Sequence, residues 1–272
     1  MSVEYFRVNL LEEQTFSGDA VGRALLADGL ALFRNVSEER LRAAATHLGK
    51  IFMHPDSQSD GLTVIRPSES GGGSEGNARG LSSQSLFPHT DRASLPQPPE
   101  VVFFWCEQCA SIGGKTTFVD GRLLYEELLS GSAELKEFAL AQNSCVFSGG
   151  DSMLAGGMYT RLDPERVKLR FRFDDLLYVS KRYASVLPSL EQVIQGLSLS
   201  FHLRPGQGYV VQNTRWLHGR TEFQGLRVCS RLLVHVDSNW KSLDSFNIKN
   251  TRSDIVIGEE AAASCTELVE SL

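Results

Sequence analysis

The chain has 272 residues and a formal net charge of −6, and 42% of its residues are hydrophobic and 22% charged. These values are ordinary for a globular protein and argue against extensive disorder, while the negative charge and the lack of a long basic run argue against a nucleic-acid partner. No leader-like segment or apolar stretch of membrane-spanning length occurs. We therefore expect a cytoplasmic protein that does not bind membranes, folded as a single domain over residues 1–272.

The first elements along the chain are two predicted helices that flank a strand. The first helix is expected from Asp19 to Ala27, with Asp19 as its cap and Gly29 as its stop. Leu30 to Val36 reads as a strand, and a second helix is expected from Ser37 to Gly49. We expect this helix-strand-helix unit to contribute to packing, since nothing in it indicates a catalytic site.

Two segments have the composition of loops. Residues 67–86 contain too many Gly, Ser and Asn residues to bury a core of their own, and they end just before His89. An ordinary insertion would look the same, but that position favours an active-site lid. Residues 148–160 are rich in Gly and Met, and we expect a second lid there.

The middle of the chain predicts buried strands. Val101 to Cys106 is a continuous apolar run, which is typical of a strand buried on both faces. Gly113 and Gly114 make a turn into a second strand, Lys115 to Asp120. Helical patterns follow from Leu123 to Leu129 and from Ala133 to Gln142.

The last third of the chain is predicted to be rich in strands. Leu169 to Phe173 alternates with Arg170 and Arg172, which indicates a half-exposed strand with both arginines in solvent. A capping box at Ser189 predicts a helix that ends near Gly196. Further strands are expected at 197–203, 208–212 and 226–237. Many strands with few helices predict a mainly β fold with flanking helices, a double-stranded β-helix or jelly roll.

Two residues near the centre of the chain have the spacing of metal ligands. His89 and Asp91 stand two apart, so in an extended strand their side chains project to the same side. His218 is the best candidate for a third ligand. Two histidines and one carboxylate on one side of an ion leave positions open, which favours Fe(II) and O2 chemistry. Because a lone H-x-D is common by chance, a metal-dependent hydrolase and a non-catalytic jelly-roll sensor of a metal or ligand remain alternatives.

Two arginines further along the chain could receive carboxylates. Arg227 and Arg231 stand four apart in a predicted strand, so both guanidinium groups face one side. A guanidinium binds a carboxylate through two parallel hydrogen bonds. Oxidative decarboxylation of a 2-oxo acid would need this combination of a metal site and a carboxylate receptor.

Several segments together resemble one family. Phe87 to Asp91, Gly113-Gly114-Lys115-Thr116, the stretch WLHGRT and the Arg227-x-x-x-Arg231 pair resemble the taurine dioxygenase-like (TauD/TfdA) family of Fe(II)/2-oxoglutarate oxygenases, including its clavaminate synthase-like amino acid hydroxylases. The resemblance implies a double-stranded β-helix, with O2 and 2-oxoglutarate as co-substrates. It also implies that His89, Asp91 and His218 hold Fe(II).

The resemblance further implies that Thr116 and one arginine bind 2-oxoglutarate. We expect Arg231 in this role, because its distance in sequence from His218 is the more typical of the family. Arg227 is the alternative, and whichever arginine is left over becomes a candidate for a substrate carboxylate.

The expected reaction is hydroxylation of a small polar substrate that bears a carboxylate, a free amino acid or a derivative of one, with release of succinate and CO2. Related halogenases replace the carboxylate ligand with a small residue, so Asp91 disfavours halogenation. The predicted substrate contacts are Arg227, Arg92, Asp151 and Trp216.

Overall fold

The computed structural model describes residues 9–67, 80–149 and 152–248. Its strands are β1 (Asn9–Glu12), β2 (Leu30–Arg34), β3 (Gly49–Ile51), β4 (Thr63–Ile65), β5 (Leu86–His89), β6 (Val101–Gln108), β7 (Ile112–Gly113), β8 (Thr116–Asp120), β9 (Cys145–Gly149), β10 (Ser152–Gly156), β11 (Tyr159–Arg161), β12 (Arg166–Leu169), β13 (Leu177–Val179), β14 (Leu199–Phe201), β15 (Gln207–Gln212), β16 (Trp216–Arg220), β17 (Phe223–Gln224), β18 (Val228–Val236) and β19 (Phe246–Asn247). The α-helices are α1 (Gly18–Asp28), α2 (Glu38–Leu48), α3 (Gly121–Ser130), α4 (Ala133–Leu140) and α5 (Leu187–Gly196).

Two sheets form the body of the fold. The larger has the order β1-β2-β15-β6-β18-β3, with β4 also paired to β18, and the smaller has the order β14-β8-β16-β5. Within the large sheet only β1 and β2 pair in parallel. The mainly β fold with helices is the predicted double-stranded β-helix, with the two sheets face to face.

Strand β6 shows why the layers stack as they do. Val101, Phe103 and Trp105 pack on one side with α1 and α2, while Val102, Phe104 and Cys106 pack on the other side with residues of the small sheet. The alternation follows from the two-residue period of a strand. The predicted burial of this run on both faces is confirmed, since all six residues are at most 8% exposed.

The small sheet has the same two-sided burial. In β8, Phe118 belongs to the core between the sheets, and its neighbour Val119 belongs to the core that holds α3, α4 and α5. In β16, Trp216 and Leu217 divide in the same way. The order across the fold is therefore helices, sheet, sheet, helices.

The helix ends differ in part from the predictions. Gly29 ends α1 as predicted, with φ of 71°, a conformation that favours glycine. The predicted cap Asp19 is wrong, because Ser17 precedes the helix and its hydroxyl accepts the Ala20 N–H at 3.2 Å. The capping box at Ser189 is also wrong, because α5 already begins at Leu187 with Pro188 in its first turn, where a missing N–H is tolerated.

The two predicted lids have different outcomes. Most of residues 67–86 lies outside the described residues, and the described end of this segment leads into β5. The loop structure predicted for 148–160 is wrong, because β9 and β10 form an antiparallel hairpin and β11 follows. The lid function of both segments and the single domain over residues 1–272 stay predictions.

No helix in the described ranges is both long enough and apolar enough to cross a membrane.

Candidate active site

His89 and His218 come from neighbouring strands of the small sheet. They are direct register partners in the antiparallel pair β5 and β16, and the register shifts by one residue between His218 and Arg220. This irregularity accommodates Pro88, which lacks a backbone N–H and is found in sheets at edges or bulges. The chain after β5 is fixed by Thr90, whose N–H and hydroxyl both donate to the Phe171 carbonyl. Thr90 therefore points away from the histidines, as the spacing predicts.

The side chains of His89, Asp91 and His218 converge on one point. One ligand atom from each residue lies within 4.8 Å of the others. His89 Nε2 is 3.8 Å from Asp91 Oδ1, and His218 Nε2 is 3.6 Å from Asp91 Oδ2. Two metal bonds of about 2.0–2.2 Å span at most about 4.4 Å, so the separations of 3.8 and 3.6 Å allow each pair of atoms to share one ion. The predicted ligand set is thus brought together by the fold.

The orientation of His89 and Asp91 is set by hydrogen bonds outside the ligand group. His89 Nδ1 is 2.9 Å from the Phe87 carbonyl oxygen, so Nδ1 carries the proton and Nε2 has a free lone pair. The backbone of Asp91 is held by the side-chain amide of Asn213, which accepts from the Asp91 N–H at 2.7 Å and donates to the Asp91 carbonyl at 3.0 Å.

The two oxygens of the Asp91 carboxylate have different surroundings. Arg231 Nη1 donates to Oδ1 at 2.8 Å, whereas Oδ2 is buried and has no hydrogen-bond partner among the described residues. A buried carboxylate oxygen without a donor is unfavourable unless a cation binds it. The residues present therefore fit a divalent metal ion.

The ionisation states of the group also suit a metal. Burial by itself raises the pKa of Asp91, but Arg231, His218 and His89 together hold it well below its ordinary value. Burial and the neighbouring His218 lower the pKa of His89 to about 4. The carboxylate is charged and His89 is neutral at neutral pH, which are the forms that coordinate a metal.

A cavity of about 570 Å³ opens beside the ligand group. Its described lining contains the three ligands together with polar residues from both sheets and their loops, among them His54, Arg92, Thr116, Arg172, Arg227 and Arg231. The volume is in the range of small-molecule sites.

The two candidate arginines occupy different positions. Arg231 is engaged with the ligand Asp91. Arg227 is 4% exposed, its guanidinium lies 5.6 Å from the ring centre of Phe104 and 5.7 Å from that of Phe223, and it has no carboxylate or hydrogen-bond partner among the described residues. Thr116 lines the same cavity, and its hydroxyl is buried without a described partner. These groups fit an incoming carboxylate.

The predicted substrate contacts do not all reach the cavity. Arg92 and Arg227 line it. Trp216 is outside its lining and packs in the core between the sheets, with Nε1 donating to the Asp28 carbonyl at 2.9 Å. Trp216 shares a face of β16 with His218 but is buried in the core beyond the cavity wall, so the structure does not bring it to the cavity. Asp151 lies outside the described residues.

Two arginines predicted to be in solvent are engaged instead. Arg170 donates to the carbonyls of Ala93, Leu95 and Pro96, and Arg172 pairs with Asp174 at 2.6 Å and lines the cavity. The predicted half-exposed strand is wrong, since β12 ends at Leu169. The two arginines alternate with apolar residues because their side chains bind loops on either side of the segment. A half-exposed strand would show the same alternation in sequence.

Sequence reasoning also missed His54 and Asn213. His54 lines the cavity. No spacing signal connects it to the ligands. Asn213 directly follows β15 in the stretch that leads to His218, and an amide side chain at the end of an apolar strand is a sequence signal that could have drawn attention to it.

The family described as "Taurine catabolism dioxygenase TauD, TfdA family" matches residues 2–235. An asparagine oxygenase solved with Fe(II), 2S,3S-3-hydroxyasparagine and succinate is similar in structure, with a TM-score of 0.65 and 18% identity over 83% of this chain and 80% of that one. The non-heme iron oxygenase OrfP, solved with Fe and alpha-ketoglutaric acid, has a TM-score of 0.61 and 19% identity over 82% and 80%.

A third similar structure is PvcB from Pseudomonas aeruginosa, with a TM-score of 0.64 and 19% identity over 90% of each chain. At such identities these likenesses show the fold alone.

Proposed function

The chain belongs to the TauD, TfdA family, and on that premise we propose that it hydroxylates a small polar substrate bearing a carboxylate, a free amino acid or a derivative of one. The observation that carries this proposal is the His89, Asp91 and His218 group at the wall of a cavity that is also lined by arginines.

Membership of the family makes the protein a 2-oxoglutarate-dependent non-haem iron oxygenase, with Fe(II) and 2-oxoglutarate as its cofactors and a small molecule as its substrate. When bound, these cofactors supply the oxidising power by coupling O2-dependent decarboxylation of 2-oxoglutarate, to succinate and CO2, to oxygen insertion into the substrate.

We assign the metal to His89 Nε2, one oxygen of Asp91 and His218 Nε2. Three protein ligands on one side of an ion leave the other positions for small molecules. The open Asp91 Oδ2, the proton position on His89 and the buried setting support this assignment.

Arg227, rather than Arg231, is the residue that we propose for the distal carboxylate of 2-oxoglutarate, with Thr116 beside it. This reverses the preference drawn from sequence spacing. Arg231 already donates to Asp91, so fewer of its N–H groups are available to another carboxylate. Arg227 is a buried cation without a carboxylate among the described residues. A buried cation of this kind is stabilised by a bidentate carboxylate.

The choice of an amino acid as substrate is supported by what similar structures contain. One holds 3-hydroxyasparagine, and another holds (3S)-hydroxy-L-Arg. The cavity of about 570 Å³ can accommodate a molecule of this size together with 2-oxoglutarate.

The test is anaerobic spectroscopy followed by turnover. Protein with Fe(II) and 2-oxoglutarate should show a weak visible charge-transfer band that His89→Ala abolishes. His47→Ala changes an exposed histidine outside the cavity and should leave the band intact. A screen of free amino acids should then identify one that accelerates succinate release. Wild-type protein that gives neither band nor succinate would contradict the proposal.

A further inference from the structure

We propose that Tyr209 is a further binding residue for 2-oxoglutarate, to which its phenolic hydroxyl donates a hydrogen bond. The inference rests on the proposed function, and it adds to Arg227 and Thr116 a residue that the family resemblance does not supply. It is carried by the place of Tyr209 in the sheet, by its unsatisfied hydroxyl and by the charged groups closest to that hydroxyl.

Strand register places Tyr209 on the wall of the cavity. Tyr209 lies in β15, and its register partner in β6 is Phe104. Phe104 is in turn the register partner of Arg231 in β18. Register partners project to the same face of a sheet, so these three side chains form one row on the face that meets the small sheet. All three line the cavity beside the ligand group.

Aromatic contacts hold the ring of Tyr209 between the two sheets. The ring stacks on Phe104, with centroids 5.0 Å apart and an interplanar angle of 16°. It meets Phe118 of the small sheet edge to face, with centroids 4.8 Å apart, and its centroid is 6.1 Å from that of the ligand His218. Stacked and edge-to-face pairs are the favourable arrangements of aromatic rings. These contacts fix the position of the hydroxyl relative to the ligand group.

The hydroxyl of Tyr209 has no acceptor within the described part of the chain. The residue is 2% exposed, and its hydroxyl makes no hydrogen bond with a described residue. A buried tyrosine usually finds a hydrogen-bond partner, because an unsatisfied buried donor is unfavourable. Thr116 is in the same condition, since its hydroxyl is buried and has no described partner. Two unsatisfied hydroxyl groups from opposite sheets, lining one cavity, indicate a ligand that accepts from both.

The charged groups nearest to the phenol point to the same ligand. Burial and then the charge of Asp91 raise the pKa of Tyr209 far above its ordinary value, so at neutral pH the hydroxyl keeps its proton and is a donor. The cations Arg227 and Arg231 act on the phenol in the opposite direction. The hydroxyl is therefore within electrostatic range of a metal ligand and of the arginine assigned to 2-oxoglutarate, and a molecule bound to both would come close to it.

The carboxylates of the cavity wall are already engaged. Among the described lining residues these are Asp91 and Asp174. Asp174 accepts two hydrogen bonds from Arg172. Asp91 accepts from Arg231 through Oδ1, and its open oxygen Oδ2 is assigned to the metal. Since neither carboxylate accepts from Tyr209, a bound ligand is the acceptor that completes the site.

The experiment measures the affinity for 2-oxoglutarate by calorimetry, with the full chain loaded with Zn(II). Tyr209→Phe removes one oxygen atom and keeps the ring, and it should weaken 2-oxoglutarate binding about 10-fold or more, by the scale for a hydrogen bond to a charged group. The matched control is Tyr178→Phe, which makes the same change at an exposed tyrosine outside the cavity lining and should leave the affinity unchanged. An affinity in Tyr209→Phe equal to that of wild type would overturn the proposal.

Measurements without 2-oxoglutarate test for a merely structural role. If the hydroxyl lacks an acceptor until the ligand binds, Tyr209→Phe should be at least as stable as wild type in urea. Its Co(II) affinity should also match wild type, because the ring beside His218 is retained. A clear loss of stability in the ligand-free variant would show that the hydroxyl has a partner within the protein, and it would overturn the assignment to 2-oxoglutarate.

The charge-transfer band distinguishes this failure from failure of the proposed function. Wild-type protein that shows the band with Fe(II) and 2-oxoglutarate, together with equal affinities for wild type and Tyr209→Phe, would overturn the role of Tyr209 alone. Wild-type protein that shows neither the band nor calorimetric binding of 2-oxoglutarate would instead contradict the oxygenase assignment.

Discussion

Arg231 on β18 of the large sheet holds Asp91, which follows β5 of the small sheet, through a 2.8 Å hydrogen bond from Nη1 to Oδ1. One arginine thus connects the two sheets at the metal ligand and leaves the second carboxylate oxygen open. Its role in this arrangement is to orient a ligand.

We therefore expect Arg231→Gln to lower metal affinity about 10- to 100-fold, the usual effect of removing a partner of a metal ligand. Titration of the protein with Co(II), followed by absorbance, measures this directly. Arg227 lies outside the network of metal ligands and their partners. Arg227→Gln should therefore leave the Co(II) affinity within about twofold of wild type under the same conditions. Equal affinities for wild type and Arg231→Gln would contradict the orienting role.

Arg227→Gln should instead weaken 2-oxoglutarate binding about 10-fold or more, because a buried charge-assisted hydrogen bond is lost. Anaerobic titration of the Fe(II) protein with 2-oxoglutarate, monitored by the charge-transfer band, gives the dissociation constant. If Arg231→Gln raises this constant more than Arg227→Gln does at saturating Fe(II), the assignment of the two arginines is reversed.

A buried ion pair aligns the strands that carry Thr116 and His218. Arg215 bonds both oxygens of Asp120, at 2.9 and 2.7 Å, and Asp120 also caps α3. Arg215→Met leaves a buried carboxylate without its cation and should reduce the free energy of unfolding by about 3–5 kcal/mol.

Urea denaturation measures this loss, with Arg34→Met as the matched control. Arg34 pairs with Glu12 at the surface, where both side chains are more than 40% exposed, and such pairs contribute about 0–1 kcal/mol. Similar losses in the two variants would show that the buried pair has no special structural role.

His54 predicts a pH dependence of stability. Burial, with the charges of Arg231 and Arg92, lowers the pKa of His54 from 6.5 to about 4. Between these values the unfolded chain binds a proton that folded His54 does not, so the free energy of unfolding falls as pH decreases from 6.5 to 4. Above pH 6.5 His54 is neutral in both states and makes no such contribution.

In metal-free His54→Gln this slope should be shallower by up to one proton, while the contribution of His89 remains in both proteins. Denaturation curves at several pH values between 4 and 7 check this. A slope identical to that of wild type would mean that folded His54 titrates normally.

The parts of the fold that could be predicted from sequence are those with local causes. Buried strand β6 and the stop of α1 at Gly29 follow from period and backbone preference, and the ligands His89, Asp91 and His218 follow from spacing combined with a family resemblance. The cavity wall could not be predicted in the same way. His54 reaches the cavity wall from a loop far from the ligands in sequence, and its position leaves no periodic signal.

At Arg172 the sequence pattern was clear, but its structural cause differed from the predicted one. Its alternation with apolar residues indicated a solvent-facing strand, yet the chain there is irregular and the guanidinium is bonded to Asp174, only two residues away. Tertiary contacts decide such positions.

The pairing of His89 with His218 on adjacent strands has a consequence for the stability of the folded state. Residues far apart in the sequence meet only in the folded chain, so Fe(II) binds the native state in preference to the unfolded one. Free metal at 100 times its dissociation constant would stabilise the fold by about 2.7 kcal/mol. Metal-free protein would therefore populate the unfolded, protease-sensitive state more than the metal-bound protein does.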